Sequence, residues 1–201
     1  MITYINCSPR CTKSNSDKFL DAVMQHVDED FSKICLYNLS LDDVYKKIKE
    51  AECIVLAFPL YVDGIPSRLL SLIEYMDKKN YKLYGKNIYA IVNCGFLEPK
   101  HNDIAIDMLK NWCTKNYGSF MGAISIGAGE VLGANDKKML YKMICKGQTK
   151  SLCKFGEDIN KRKTRYRAAT LSKVVSIKTY CICANINWDK QMLKNNVKQK
   201  P

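Results

Sequence analysis

Two hydrophobic periods alternate along the first 130 residues. Short runs of apolar and β-branched residues predict strands, whereas apolar residues three or four positions apart predict helices. Strands are expected over residues 2–7, 32–39, 51–58, 86–93 and 119–126, and helices over 14–27, 41–50, 67–78 and from 102 or 103 onwards. Strands that alternate with helices pair in parallel through right-handed crossovers. The pattern therefore predicts an α/β protein with a five-stranded parallel sheet and helices on both faces.

The pattern is weaker after residue 133. Residues 135–146 and 151–162 are expected to be helical, 171–186 to be extended because β-branched residues are frequent there, and 188–196 to form a short final helix. A basic run covers residues 161–167. We therefore divide the chain into a main domain, 1–163, and a basic C-terminal extension, 164–201.

Loops with unusual composition follow four of the predicted strands. We call them the first loop (8–16), the second loop (59–66), the third loop (94–101) and the fourth loop (127–133). Open parallel sheets bind ligands at the carboxyl ends of their strands. All four loops are expected at that edge, which makes it the candidate binding site.

The first loop combines hydrogen-bond donors with the start of a helix. Its candidate ligand-binding residues are Ser8, Arg10, Ser14, Asn15 and Ser16. Free N–H groups and the positive end of the helix dipole add to these side chains and favour a phosphate monoester. The loop contains neither G-x-x-x-x-G-K-[ST] nor G-x-G-x-x-G. The alternative is a serine-rich cap on an ordinary helix.

The second and third loops mix flat, apolar side chains with tight backbone, which suits the walls of a site for a planar ring. The alternative is that both are plain turns. The candidate residues are Pro59, Leu60, Tyr61, Val62 and Asp63 in the second loop, with Asn93, Cys94, Gly95 and Phe96 at the third.

Composition fits one domain with a sizeable core, since 47% of the 201 residues are hydrophobic and 26% are charged. No apolar run approaches the length of a membrane span, and the N-terminus lacks the pattern of a signal peptide. We therefore expect a cytoplasmic protein that does not associate with membranes.

The ten cysteines favour a reduced chain over a disulfide framework, because several lie in apolar runs. No pair of C-x-x-C units is present, and no metal site is predicted. Cys7 and Cys11 bracket the first loop, and Cys94 lies in the third, so a redox-active thiol is an open alternative.

The ordered set of loops resembles that of the NAD(P)H-dependent FMN reductases, a flavodoxin-like family. Ser8-Pro9-Arg10 followed by Ser14-Asn15-Ser16 is similar to their phosphate loop. Residues 59–67 and 93–99 resemble their two flavin-ring loops, and 127–130 resembles a glycine-rich turn after strand five. Cys7 stands where such loops often carry a smaller residue, and it is expected to crowd the phosphate.

This resemblance implies a doubly wound sheet of strand order 2-1-3-4-5 and noncovalent FMN. The phosphate would lie at the first-loop residues and the ring at the residues of the second and third loops. Hydride would pass from NADPH or NADH through flavin N5 to a small acceptor such as a quinone, flavin, nitro or azo compound. No catalytic side chain is implied, because the flavin carries the chemistry.

Two further expectations follow from the resemblance. The first is an alternative function, a flavodoxin-like electron carrier without NAD(P)H activity of its own, which is disfavoured because such carriers are usually acidic. The second is a homodimer, with residues 171–186 as the arm between subunits.

The net charge of +12 is concentrated at the C-terminal end, where residues 151–201 carry 12 basic and 3 acidic groups. Run 161–167 is interpreted as a solvated surface in preference to a nucleic-acid site. It is also a candidate for attracting the phosphates of NADPH.

Overall fold

A six-stranded parallel sheet forms the centre of the molecule, in the order β2-β1-β3-β4-β5-β6. The computed structural model describes residues 1–134, 139–171 and 175–195. The strands are β1 (Ile2–Asn6), β2 (Phe31–Cys35), β3 (Cys53–Pro59), β4 (Asn87–Asn93), β5 (Ser119–Ile126) and β6 (Arg165–Ala169). The predicted parallel fold and the order of the first five strands are confirmed, and β6 extends the sheet beyond β5.

Seven α-helices flank or follow the strands in the described part of the chain. They are α1 (Asn15–Met24), α2 (Leu41–Glu50), α3 (Ser67–Lys78), α4 (Asp103–Lys115), α5 (Gly129–Ala134), α6 (Met139–Asn160) and α7 (Ile177–Lys194). Ser14 caps α1 and Ser40 caps α2, each accepting a hydrogen bond from the backbone N–H three residues later. None of these helices combines the length and apolar composition that crossing a bilayer requires.

The central strand β3 shows how the sequence produces two cores. Ile54, Leu56 and Phe58 pack into one apolar cluster with α2, α3 and α4. The alternate residues, Val55 and Ala57 among them, pack on the opposite face with α1 and α6. A strand buried on both faces needs apolar residues at every position, which is what this segment has. Its burial places the carboxyl end of the sheet between two layers of helices.

The C-terminal third differs from the sequence expectation in three ways. Helix α6 is continuous from Met139 to Asn160, where two helices were expected. Residues 165–169 pair with β5 as the edge strand β6. Most of the segment expected to be extended is instead the beginning of α7, which Ser176 caps by accepting a hydrogen bond from the N–H of Thr179. Residues 135–138, 172–174 and 196–201 lie outside the described residues.

The basic run begins at the amino ends of the strands, opposite the carboxyl ends that carry the four loops, since residues 161–164 precede the start of β6. Arg162 forms an ion pair of 2.7 Å with Glu29, and Arg167 pairs with Asp158 at 2.5 Å. The hydroxyl of Tyr89 also donates to the carbonyl of Lys163. These contacts join neighbouring elements, so Arg162, Lys163 and Arg167 stabilise the fold.

Candidate functional site

The four loops meet at the carboxyl ends of the strands, as the sequence predicted. They enclose a cleft of about 230 Å³. A larger groove of about 450 Å³ lies between α4, β5 and β6, and it shares no lining residue with the cleft. The cleft is lined by Ser8, Arg10, Lys13, Ser14, Asn15, Ser16, Pro59, Leu60, Tyr61, Asn93, Cys94, Gly95 and Glu130.

The side chain of Asn6, the last residue of β1, shapes the first loop. Its Oδ1 accepts a hydrogen bond of 2.9 Å from the N–H of Ser8, and its Nδ2 donates to the carbonyl of Cys11 at 2.5 Å. Nδ2 also lies 3.1 Å from Ser14 Oγ and 3.3 Å from Asp17 Oδ1. Asn6 is 1% exposed, so one buried amide fixes both ends of the loop.

Two of the predicted phosphate-binding hydroxyls already have partners inside the protein. Ser14 Oγ donates to the carbonyl of Cys11 at 3.1 Å and accepts from the N–H of Asp17 at 3.0 Å. Ser16 Oγ donates to Asn93 Oδ1 at 3.1 Å. These hydroxyls therefore hold the loop in shape before any ligand arrives.

Other donors of the first loop remain available to a ligand. The N–H groups of Asn15 and Ser16 are in the first turn of α1, where no intrahelical acceptor exists. Ser8 Oγ accepts a long hydrogen bond of 3.4 Å from the N–H of Arg10, which leaves its own proton free to donate. Arg10 is exposed, and its guanidinium has no ion pair among the described residues. This donor set suits an anion with several oxygens.

The second loop is a tight hairpin whose tip is strained. Tyr61 and Gly64 exchange two backbone hydrogen bonds of 3.1 and 3.0 Å. Between them, Val62 and Asp63 both adopt left-handed backbone, with φ of 47° and 57°. That conformation is uncommon for Asp and a genuine outlier for a β-branched residue. The turn points Val62 into solvent and leaves Leu60 and Tyr61 on the wall of the cleft.

Asn93, at the end of β4, connects the other loops. Its carbonyl accepts a hydrogen bond of 2.8 Å from the N–H of Leu60, and its side chain accepts the hydroxyl of Ser16. A Cβ built on Gly129 would lie 3.1 Å from the Cβ of Asn93, so the fourth loop also packs closely against this residue. Asn93 thus contacts the first, second and fourth loops at once.

The third and fourth loops are hydrogen-bonded to each other. The N–H of Ala128 donates to the carbonyl of Phe96 at 2.5 Å, and the N–H of Gly129 donates to the carbonyl of Cys94 at 2.9 Å. A Cβ on Gly127 would lie 2.2 Å from the carbonyl oxygen of Leu97, so only glycine permits this approach. Burial raises the pKa of the Cys94 thiol, which keeps it protonated at neutral pH.

Most of the predicted residues line the cleft together, with three exceptions. Val62 and Asp63 form the hairpin tip, and Phe96 packs against His101 with ring centroids 4.2 Å apart; the cleft lining does not include these three. Sequence reasoning missed Asn6, which shapes the first loop, and it missed Lys13 and Glu130 on the cleft wall. A buried polar residue at the end of an apolar strand is the pattern that could have identified Asn6. Tyr180 of α7, also missed, donates its hydroxyl proton to the carbonyl of Gly95.

Two expectations about cysteine are wrong. Cys11 and Cys35 form a disulfide, although a reduced chain was expected. The first loop folds back over the end of β2, and this brings together two residues that are 24 positions apart in sequence. Cys7 does not crowd the cleft, because its side chain is fully buried in the core between the sheet and α2, α3 and α4. The other eight cysteines, Cys7 among them, are not part of a disulfide.

The family of the chain follows from a sequence comparison, which agrees with this arrangement of loops. A sequence model of the NADPH-dependent FMN reductases matches residues 1–138, more than half of the chain. The chain belongs to this family. The comparison with curated proteins found no match. Members of the family are flavin enzymes, and the predicted identification as an NAD(P)H-dependent FMN reductase is confirmed.

Solved structures with the same fold include three enzymes of low sequence identity. An azoreductase from Bacillus anthracis is 14% identical with a TM-score of 0.55, covering 78% of this chain and 98% of its own. An NADPH-quinone reductase from P. pentosaceus is 13% identical with a TM-score of 0.58, covering 80% and 97%. An NAD(P)H:quinone oxidoreductase from Methanothermobacter marburgensis is 13% identical with a TM-score of 0.56, covering 79% and 96%. At such identities the likeness shows the flavodoxin-like fold.

Replacing Asn6 by alanine is expected to loosen the first loop, because the N–H of Ser8 and the carbonyl of Cys11 lose their shared partner. Losing these buried hydrogen bonds costs about 1–3 kcal/mol. If that cost falls on binding, the Kd for FMN rises about tenfold or more. Fluorescence titration with FMN measures the change. Asn111→Ala, an exposed position on α4, is the matched control, and equal Kd values for the two variants would contradict the role of Asn6.

Proposed function

We propose that the chain is an FMN-dependent NAD(P)H oxidoreductase that reduces a small acceptor at the cleft formed by the four loops. The observation that carries the proposal is the joining of two kinds of surface in one cleft. Donors for an anion lie in the first loop, and flat walls lie in the second and third loops. FMN has a phosphate at one end and a planar ring at the other, and it requires such a combination.

The first loop fits the phosphate of FMN. Ser8, Arg10 and Asn15 are free to donate from their side chains, and the first turn of α1 adds backbone N–H groups. Lys13 brings a second positive charge to the cleft. The hydroxyls of Ser14 and Ser16 act indirectly. They hold the loop in shape through hydrogen bonds with the N–H of Asp17 and with Oδ1 of Asn93. Preorganised donors bind an anion without the cost of ordering the loop.

The second and third loops fit the flavin ring. Pro59, Leu60 and Tyr61 supply one side of the cleft, and Asn93, Cys94 and Gly95 supply another. Gly95 is exposed and has no heavy atom within 4 Å of a built Cβ, so ligand atoms can approach its backbone closely. Val62, Asp63 and Phe96 are proposed to contact the ring from the rim, since they border these walls in sequence.

When bound, FMN supplies the hydride chemistry, and the protein binds, orients and tunes it. Backbone N–H groups of the third loop are proposed to stabilise negative charge on the reduced ring. No side chain is assigned as an acid or base. Cys94 is not assigned as a nucleophile, because burial raises the pKa of its thiol.

The proposed donor is NADPH or NADH, and the proposed acceptor is a quinone, flavin, nitro or azo compound. The family description supports NADPH. The solved structures of similar fold, an azoreductase and two quinone reductases, support acceptors of this size and shape. The basic run 161–167 is not proposed to hold the NADPH phosphates, because residues 161–164 lie at the opposite edge of the sheet from the cleft.

A flavin-binding test separates the role of the phosphate from that of the ring. We expect the chain to bind FMN more tightly than riboflavin, which lacks the phosphate. Arg10→Gln removes a charge-assisted hydrogen bond worth about 1.5–3 kcal/mol and is expected to weaken FMN binding about 10- to 100-fold. Riboflavin affinity should stay unchanged. Lys110→Gln, an equal loss of charge on the exposed side of α4, is the control; a parallel loss for both ligands would refute the assignment of Arg10.

Direct reduction by NADPH distinguishes the proposed enzyme from an electron carrier. Anaerobic stopped-flow mixing of the FMN-loaded chain with NADPH or NADH is expected to bleach the visible flavin absorbance without a partner protein. A chain that binds FMN but is bleached by neither nucleotide would instead be a carrier of the flavodoxin type.

We also propose a homodimer in which α7 contacts the second subunit. This helix leaves large apolar side chains exposed, which marks an interaction surface. The exposed apolar residues are Ile177, Ile182, Ile186, Trp188 and Leu193.

Light scattering tests the role of α7. The parent chain is expected to be a dimer, and the double variant Ile182→Glu, Ile186→Glu is expected to be a monomer, since both side chains are exposed one helical turn apart. Gln191→Glu adds a charge at an exposed position on the opposite face of α7 and should leave the dimer intact. A monomeric parent chain, with and without FMN, would exclude the dimer.

A further inference from the structure

The Cys11–Cys35 disulfide lies within the proposed phosphate site. Cys11 begins a short 3-10 turn, Cys11–Lys13, in the middle of the first loop. Cys35 is the last residue of β2 and lies opposite Asn6 in the strand register. We propose that this disulfide is a redox switch: its reduction by a dithiol loosens the first loop and lowers the affinity for FMN. The inference rests on the proposed function, because it concerns the regulation of the same cleft.

The backbone of Cys11 is part of the structure that presents the donors. Its carbonyl accepts hydrogen bonds from Asn6 Nδ2 and Ser14 Oγ, and its N–H donates to the carbonyl of Ser8 at 3.2 Å. Its φ of 35° is in the left-handed region, which is uncommon for a residue with a side chain. A residue in this conformation persists when its surroundings hold it there. The disulfide is one such constraint.

The effect of reduction is confined to the turn. Helix α1 stays attached to β2 without the disulfide, because Lys33 pairs with Asp17 at 2.7 Å and with Asp21 at 2.6 Å. In the 3-10 turn, Asn6 and Ser14 hold the backbone of Cys11 through its carbonyl, but the side chains of Thr12 and Lys13 are exposed, so the disulfide is the covalent anchor of this segment. Reduction therefore leaves residues 10–13 held by hydrogen bonds alone and more mobile, while the rest of the fold stays in place. Arg10 and Lys13, the two cationic residues of the cleft, both lie in that segment.

The disulfide is also accessible to solvent. Cys11 and Cys35 are both partly exposed, so a dithiol in solution can reach them. Cys7 directly precedes the first loop, and Cys94 lies in the third. Both thiols are buried, and burial raises the pKa of each. Thiol–disulfide exchange requires a thiolate and access, so neither buried thiol competes.

The exchange is balanced by one dithiol. A thiolate of the dithiol attacks one sulphur of the disulfide, the Cys11–Cys35 bond breaks, and the other cysteine leaves as a thiolate and takes up a proton. The second thiol of the dithiol then attacks the mixed disulfide and releases the remaining cysteine as a thiol. Two electrons pass from the dithiol, which becomes a cyclic disulfide, to the protein, which gains two thiols.

We therefore expect the affinity for FMN to depend on whether the Cys11–Cys35 disulfide is oxidised or reduced. In the oxidised chain the turn is fixed before FMN arrives, so binding does not have to order it. In the reduced chain the turn must be ordered on binding, and the affinity falls accordingly. Oxidising conditions thus retain the cofactor, and reducing conditions release it.

Flavin titration of the two redox forms tests the switch. The full-length chain is reduced with dithiothreitol, freed of reductant by gel filtration under argon, and titrated with FMN beside the oxidised chain. A free-thiol assay counts two more thiols in the reduced form. We expect the Kd for FMN to rise about tenfold on reduction, since several side chains and a backbone turn regain their freedom.

Two variants show which cysteines are responsible. Cys35→Ser removes the disulfide without altering the first loop, and its Kd should equal that of the reduced parent chain and ignore dithiothreitol. Cys153→Ser, in α6 away from the cleft, should respond as the parent does.

The outcomes separate this proposal from the proposed function. Equal FMN affinity in the two redox forms overturns the switch alone, as does a Cys35→Ser variant that still responds to dithiothreitol. The switch is also overturned if reduction yields no additional thiols, because the chain then contained no disulfide. Failure of both forms to bind FMN overturns the switch and the proposed function together.

Discussion

The amide side chain of Asn6 is the interaction on which the cleft depends. It is buried at the end of a central strand, where a polar group must find partners to offset the loss of water. It finds them in the loop that follows, with a donor and an acceptor used at the same time. The need to satisfy one buried amide thus shapes the path of residues 8–14, and the positions of the first-loop donors follow from it.

Asn93, at the end of β4 two strands away, is a second buried polar residue whose side chain finds a partner in a loop. Both residues end a parallel strand and carry a buried side-chain amide, but Asn6 bonds within the loop that follows it, whereas Asn93 connects loops that are distant in sequence. Ser16 joins the two systems, since it belongs to the first loop and donates to Asn93. The cleft is therefore held by hydrogen bonds between strand ends and loops. Apolar packing contributes beneath it, in the two cores between the sheet and the helices. This arrangement lets its walls carry polar groups and still remain ordered.

Much of the fold and of the site could be predicted from sequence, because local pattern determines both. The uninterrupted apolar run of β3 indicates a strand with two buried faces, and the parallel topology then collects the loops at one edge. Other features depend on contacts between distant residues. Cys11 and Cys35 have no spacing pattern, and only the register of β1 with β2 brings them together. Strand β6 carries basic and exposed residues, since its outer edge and one face meet solvent, and its sequence therefore lacks the apolar pattern of a strand.

The walls of the cleft differ in how firmly they are held. The third and fourth loops are hydrogen-bonded to each other and the fourth packs against Asn93, whereas the hairpin tip, from Tyr61 to Gly64, has hydrogen bonds only within itself among the described residues. A left-handed β-branched residue at that tip raises its energy by about 1–2 kcal/mol relative to ordinary backbone. The tip is therefore the part of the wall that moves at least cost. A cleft with one yielding wall and three firmly held ones can change its width without displacing the donors of the first loop.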